Sequence, residues 1–232
     1  MIIDIVTIFP ELIKNFTDYG VIKEAFSKEI IKLNVHDLRD FTKDRHRKVD
    51  DKPYGGGFGM VMMVQPFFDA VDYIKKANRN ISREKQKTVL FTPRGKVLNQ
   101  KLIKDLSQLE NIIMLCGRYE GIDERVSELV ADLEISAGDY ILTGGELPAM
   151  ILTEGIARLM PGVIHSIESL EVESFEKNLL EYPQYTRPLE FKDKKVPEIL
   201  RSGNHAEIEK WRRQKSEEIT KGRRPDLFDK SF

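Results

Sequence analysis

Apolar and polar positions along this chain fall into alternating blocks. "IIDIVTIF" (2–9) is almost wholly apolar, the pattern of a strand buried on both faces, and "ELIKNFTDYGVIKEAFSK" follows it with helical spacing. "IIKLNVHDL" (30–38) alternates again. "QPFFDAVDYIKKA" (65–77) is amphipathic, with Pro66 suited to a first helical turn. "KTVLF" (87–91), "NIIMLCG" (111–117) and "LEISAGDYIL" (133–142) read as further strands, separated by the helical patterns "KVLNQKLIKDLSQL" and "IDERVSELVA". "PAMILTEGIARL" (148–159) closes the region as a helix. Strands alternating with helices predict an α/β fold on a mostly parallel sheet.

After Pro161 the pattern changes. Residues 162–187 are weakly periodic, and a long stretch of that kind inside a compact fold is a linker or a functional segment. "GNHAEIEKWRRQKSEEITKG" then reads as a helix with a thin apolar stripe of Ala206, Ile208, Trp211 and Ile219. Asn204 is its expected cap, Glu207 the reciprocal partner and Gly222 its end. The organisation expected is an α/β domain over 1–160, a flexible interdomain linker over 161–175, and a small helical domain over 176–232.

Composition changes this picture little. The 232 residues are 41% hydrophobic and 32% charged, which allows a sizeable core and a soluble surface, and the net charge of −1 gives no hint of a polyanionic partner. Distribution is more informative. Residues 192–224 hold 11 Lys/Arg against 6 Asp/Glu, whereas residues 164–181 hold five glutamates and one lysine. The single cysteine, Cys116, excludes an intrachain disulfide framework or a cysteine zinc cluster, and the four histidines show no metal-ligand spacing. Asp4 and Pro10 interrupt the N-terminal apolar run, which reads as an opening strand and not a signal peptide. No window reaches the length of a membrane span, so a cytoplasmic protein is expected.

Three loops follow predicted strands and carry glycine or proline: "TPRGK" (92–96), "CGRYEGID" (116–123) and "TGGELP" (143–148). Ligands of open α/β sheets bind beyond the carboxyl ends of the strands, so these loops are candidates for one pocket. None fits a phosphate-binding glycine motif. "PYGGGFGM" (53–60) does not either, since no Lys-Ser/Thr pair follows it. Glu120 and Glu146 favour a neutral or cationic ligand over a phosphate. A second constellation, "DLRDFTKDRHRKVDDKPYGGGFGM" (37–60), mixes arginines suited to nucleic-acid backbone contacts with aspartates that either read base edges or pair with those arginines.

Together, "VTIFPEL", "DFTKDRHRKVDDKPYGGGFGMVMMVQP", "CGRYEGIDERV", "GDYILTGGELPAM", "YPQYTRP" and "SGNHAEIEKWRRQ" resemble the bacterial tRNA (guanine-N1)-methyltransferase family, the TrmD family of the knotted SPOUT superfamily. The likeness covers nearly the whole chain. It implies a deep trefoil knot in the C-terminal part of the α/β domain, S-adenosylmethionine bound in that knot, and methylation of guanosine-37 beside the anticodon. It also implies a homodimer with shared active sites, a C-terminal domain that binds the tRNA anticodon stem-loop, and assistance by Mg²⁺. No metal site is expected from the residues themselves.

By the same resemblance, the cofactor pocket is lined by Pro93, Gly117, Tyr119, Glu120, Ala137, Gly138, Asp139, Tyr140, Ile141, Leu142, Gly144, Gly145 and Pro148. Contacts to tRNA are expected from Arg39, Arg45, Arg47, Asp50, Lys210, Arg212, Arg213 and Lys215. Transfer to N1 of guanine requires removal of its proton by a general base, while charge builds on O6. Arg158 matches the family's catalytic arginine. The family's aspartate base, in an Asp-Ser-Phe context, is Glu173 in "VESF" here, with Glu168 and Glu171 as nearby alternatives. A tRNA-binding module with impaired catalysis and a knotted RNA methyltransferase with another target atom are the alternative readings.

Overall fold

The computed structural model describes residues 1–164 and 173–228. The alternative bases Glu168 and Glu171 lie outside the described residues. The chain divides into two compact units, Met1–His165 and Ser166–Phe232.

The first unit runs β1 (Ile2–Thr7), α1 (Pro10–Phe16), α2 (Gly20–Ser27), β2 (Lys32–Asp37), β3 (Asp50–Asp51), β4 (Val61–Met62), α3 (Val64–Ala77) and β5 (Gln86–Val97). It continues through α4 (Gln100–Ser107), β6 (Asn111–Leu115), α5 (Glu124–Leu129), β7 (Leu133–Ser136) and α6 (Glu146–Leu159). Five strands form one sheet in the order β2-β1-β6-β5-β7, and every neighbouring pair is parallel. β3 and β4 form a separate antiparallel pair.

Helices cover both faces of the sheet. Ile3, Ile5, Val89, Ile112, Met114 and Ile135 point to one face and pack with α1, α2, α4 and α6. Val6, Leu90, Ile113 and Leu115 point to the other and pack with α3 and α5. Burial on both sides is why the strands read as continuous apolar runs. One polar group interrupts this core. Asp4, 2% exposed, accepts hydrogen bonds from Asn34, His36, Asn78 and Asn111, and so ties β1 to β2, β6 and the end of α3.

Several elements differ from the pattern-based expectation. The helical stretch after β1 is two helices: the Thr17 hydroxyl donates to Lys14 O at 2.8 Å, and Gly20 takes φ 59°, which turns the chain. β5 runs on to Val97, with Phe91 and Lys96 both opposite Ile135, so Thr92–Gly95 bulges out of the ladder. β7 stops at Ser136, short of residue 142. Gly138, at φ 147°, donates to the Ser136 hydroxyl, and Tyr140 N donates back to Gly138 O. α6 begins at Glu146, two residues before Pro148.

The second unit holds β8 (Glu190–Phe191), β9 (Lys194–Lys195) and α7 (His205–Arg223), which brings the total to seven α-helices among the described residues. Asn204 caps α7 by accepting from Glu207 N at 3.4 Å, but Asn204 N donates to the Ser202 hydroxyl, not to Glu207. The helix passes through Gly222 to Arg223. Buried contacts on α7 come from Ser216 and Thr220, whose hydroxyl accepts from Leu180 N at 2.8 Å. Tyr182 lies under the Arg212 guanidinium, and Tyr185 neighbours Trp211. The "YPQYTRP" stretch therefore uses its two tyrosines to fasten onto the helix.

Candidate active site

The carboxyl ends of β5, β6 and β7 surround a cavity of about 550 Å³, within the range of about 300–1,000 Å³ common for small-molecule sites. Its walls come from three places. The bulge after Phe91 supplies Pro93, the loop after β6 supplies Gly117, Tyr119 and Glu120, and the segment between β7 and α6 supplies Ala137, Gly138, Tyr140, Ile141, Leu142, Gly144, Gly145 and Pro148. These expected residues thus lie around one space. Asp139 does not line it.

Close backbone approaches hold these loops. Gly145 N donates to Gly117 O at 3.0 Å, and a Cβ on Gly145 would sit 2.8 Å from the Cα of Cys116. A Cβ on Gly95 would sit 2.4 Å from Ile135 N. What comes close to the paired glycines is first of all the chain itself. Tyr119 and Gly121 take φ 61° and 138°, which folds the β6 loop back on itself. Its far side is fastened to β4, with Met62 N donating to Gly121 O at 2.9 Å and Asp123 N donating to Met62 O at 2.9 Å. The glycine-rich segment 53–60 lies alongside, where Glu120 N donates to Met60 O and the Glu120 side chain occupies the space a Gly59 Cβ would need.

Glu146 is the main correction to the sequence reading. It does not face the cavity as a site for a cationic ligand. It is fully buried, accepting from the Thr7 hydroxyl at 2.7 Å and from Arg118 Nε at 2.9 Å. Charge pairing in a water-free setting is what makes such burial tolerable. Arg118 lines the cavity and was not singled out from the sequence, because its partners lie far away in the chain. Arg94 and Glu124 also line it and form an exposed ion pair at 2.6 Å, with Glu124 holding the guanidinium above its ordinary pKa. Cys116 is fully buried, and burial, followed by the nearby Glu146, pushes its thiol well above the usual range.

Arg158 sits in the last turn of α6 and is absent from the cavity lining. At 1.5 Å per residue it lies about 15 Å along the axis from Pro148. Glu173 is half-buried and belongs to the second unit.

The expected RNA-binding residues are partly committed to protein contacts. Arg39 donates to Ile8 O at 2.5 Å, and Arg47 pairs with Asp40. Arg45 Nε donates to His46 Nε2 at 2.9 Å. Asp44 caps the same turn, and the backbone N–H groups of His46 and Lys48 hold its carboxyl below the usual range. Asp50 pairs with Met62 in the β3–β4 ladder. On α7, Arg212, Arg213 and Lys215 pair with Glu209, Glu217 and Glu218 along the helix, while Lys210 is exposed. Among the described residues no group of three or more His, Cys, Asp or Glu can hold a metal ion, and no helix is long and apolar enough to cross a membrane.

Comparison with known proteins shows the family. A tRNA (guanine-N(1)-)-methyltransferase of Clostridioides difficile is 52% identical over 227 residues, 98% of this chain and 97% of that protein. Proteins of the same name from Thermosipho africanus and Caldanaerobacter subterraneus are 54% and 51% identical, covering 98% and 100% of this chain and 90% and 93% of their own lengths. The family model described as tRNA (Guanine-1)-methyltransferase TrmD matches residues 1–230, and with relatives this similar along their full length the chain belongs to that family.

Proposed function

We propose that this protein transfers a methyl group from S-adenosylmethionine to N1 of guanosine-37 in tRNA. The observation that carries this reading is the cavity at the carboxyl ends of β5, β6 and β7, in a chain whose family is defined by guanine-N1 methylation of tRNA. Its walls suit the cofactor. Leu142, Ile141 and Pro148 offer apolar surface for an adenine, the loop backbone offers hydrogen bonds, and Glu120 offers a carboxylate to a ribose or a cationic centre. When bound there, S-adenosylmethionine supplies an activated methyl group.

The chain's own residues do the rest. Glu173 accepts the N1 proton as attack proceeds, and Arg158 stabilises charge on O6. Arg158 stands well away from the cavity of its own chain, which supports a homodimer whose active sites combine residues of both copies. The close backbone crossings at Gly95 and Gly145 support a trefoil knot threaded by the segment from β7 into α6. Residues 1–160 then form the knotted methyltransferase domain, 161–175 the linker, and 176–232 a helical domain that grips the anticodon stem-loop from the cytoplasm's tRNA pool. The Mg²⁺ implied by the resemblance has no cluster of three or more His, Cys, Asp or Glu to hold it among the described residues.

The test is methyl transfer from labelled S-adenosylmethionine to a tRNA transcript with guanosines at positions 36 and 37, with the product nucleoside identified by mass. N1-methylguanosine is expected, and its loss when position 37 is adenosine. A 2′-O-methylated product, or tRNA binding with no transfer, would overturn the proposal.

A further inference from the structure

The cavity contains one cation that the protein has gone to some length to orient. Arg118 Nε donates to Glu146 Oε2, and the other carboxylate oxygen of Glu146 accepts from the Thr7 hydroxyl. Arg118 Nη1 donates to the Thr143 hydroxyl at 3.2 Å, and its guanidinium lies 4.7 Å from the centre of the Phe9 ring. Gly144 leaves room for the pair, since a Cβ there would sit 2.2 Å from Arg118 Nε and 2.5 Å from Glu146 Oε2. A buried carboxylate is costly to leave without a partner, so Glu146 and Arg118 require each other.

The pairing uses the Nε side of the guanidinium. Among the described residues, Nη2 has no hydrogen-bond partner, Nη1 is engaged by the Thr143 hydroxyl, and Arg118 lines the cavity. An end-on guanidinium edge is a two-point donor matched to a carboxylate. The other arginine in the lining, Arg94, is 62% exposed and engaged by Glu124, so it is a poorer candidate. Glu120 and Glu124 are anionic and would repel a carboxylate.

We propose that Arg118, held in place by Glu146, binds the amino-acid carboxylate of the cavity's ligand. This rests on the reading of the cavity as the S-adenosylmethionine site. Arg118 is then a binding residue, and Glu146 a positioning residue that acts through it. The buried charge has a function: it fixes the orientation of a donor fork in a pocket otherwise walled by loops.

Calorimetric titration of the intact protein with two ligands tests the idea. One is S-adenosylhomocysteine; the other is its decarboxylated analogue, S-(5′-deoxyadenosyl)-3-thiopropylamine, which lacks only the carboxylate. The unaltered protein should prefer the first by about tenfold or more, the scale of a hydrogen-bonded charge pair. Arg118→Met should erase that preference, weakening S-adenosylhomocysteine about tenfold more than the decarboxylated analogue. Arg118→Lys keeps a cation beside Glu146 and guards against misfolding, yet loses the fork; it should remove most of the preference. Glu146→Gln should reduce the preference without inverting it. Equal weakening of both ligands would assign Arg118 a purely structural role and overturn the inference, as would a preference unchanged in both Arg118 variants. If the unaltered protein bound neither ligand, the cofactor reading would fall together with the inference, whereas an unchanged preference defeats the inference alone.

Discussion

Replacing Asp4 by alanine isolates what the buried polar network at the amino-terminal half of the sheet contributes. Asp4 Oδ1 accepts from Asn34 at 3.0 Å and His36 at 2.8 Å, and Oδ2 accepts from Asn111 at 2.7 Å and Asn78 at 3.3 Å. A hydrogen bond to a charged group is worth about 1.5–3 kcal/mol. The full sum of four would overstate the loss, because Asn34, His36 and Asn78 keep some access to water. Asn111 is fully buried, but its amide also donates to Ile2 O and its carbonyl accepts from Gln86. The expected cost is therefore about 3–5 kcal/mol, the range of a broken buried network. At about 2–4 °C per kcal/mol for a chain of this size, the midpoint of the first unit's thermal unfolding should fall by roughly 6–20 °C. Asp4→Asn should cost about 1–3 kcal/mol: with its carbonyl towards Asn78 and Asn111, its amide can donate to His36 Nε2 and loses only the Asn34 bond. The assay is thermal and urea unfolding followed by near-ultraviolet circular dichroism, beside ligand affinity at 25 °C. Asp4 lies three residues before the end of β1, about 10 Å from the cavity end, so affinity should hold. A loss below about 1 kcal/mol for Asp4→Ala would refute the view that the network is a fastening, and a selective loss of ligand affinity would place it in the site.

Glu173→Gln should lower the single-turnover rate of methyl transfer by about 10²–10⁴-fold, the usual worth of a general base, with tRNA affinity retained; a near-normal rate would reassign the base. Affinity for tRNA should fall steeply with salt, and Lys210→Ala should reduce the slope by about one. Arg213→Ala should change it less, since Glu217 already partners Arg213; equal slopes for both variants would count against that distinction. Gly145→Ala drives a Cβ into the Cys116–Gly117 backbone and should cost at least about 1–3 kcal/mol, together with ligand binding, and a fully stable, ligand-binding variant would show that the crossing relaxes freely. Burial holds the Cys116 thiol protonated above its ordinary pKa, so the native protein should resist alkylation up to about pH 9 and react once unfolded in urea; rapid labelling of the native state would contradict this.

The alternation of apolar blocks was sufficient to read the α/β class and most of the strands, because a sheet covered on both faces imposes continuous apolar runs that few other arrangements require. Boundaries were less legible. β7 looked longer than it is because Tyr140, Ile141 and Leu142 continue its apolar run, yet they are wall residues of a cavity, where apolar character serves a ligand and not a ladder. The helix after β1 hid a break at Thr17–Gly20 that depends on a local hydroxyl bond and one left-handed glycine. Three loops after strands were visible as candidates for one pocket from their glycines and prolines alone, and the structure does gather them.

By itself the sequence determined the type of fold, the family, and which loops carry the unusual backbone. Those properties are local, or accumulate along the chain as literal strings and periodicity. Tertiary structure alone decided what Glu146 does. Read in line, it is a carboxylate beside two glycines and a natural host for a cationic ligand. Folded, it is sealed between Thr7 and Arg118, 139 and 28 positions away, and its charge serves to aim an arginine. No periodicity encodes such a pairing, because its energy comes from excluding water around three side chains that meet only when β1, the β6 loop and α6 have packed together.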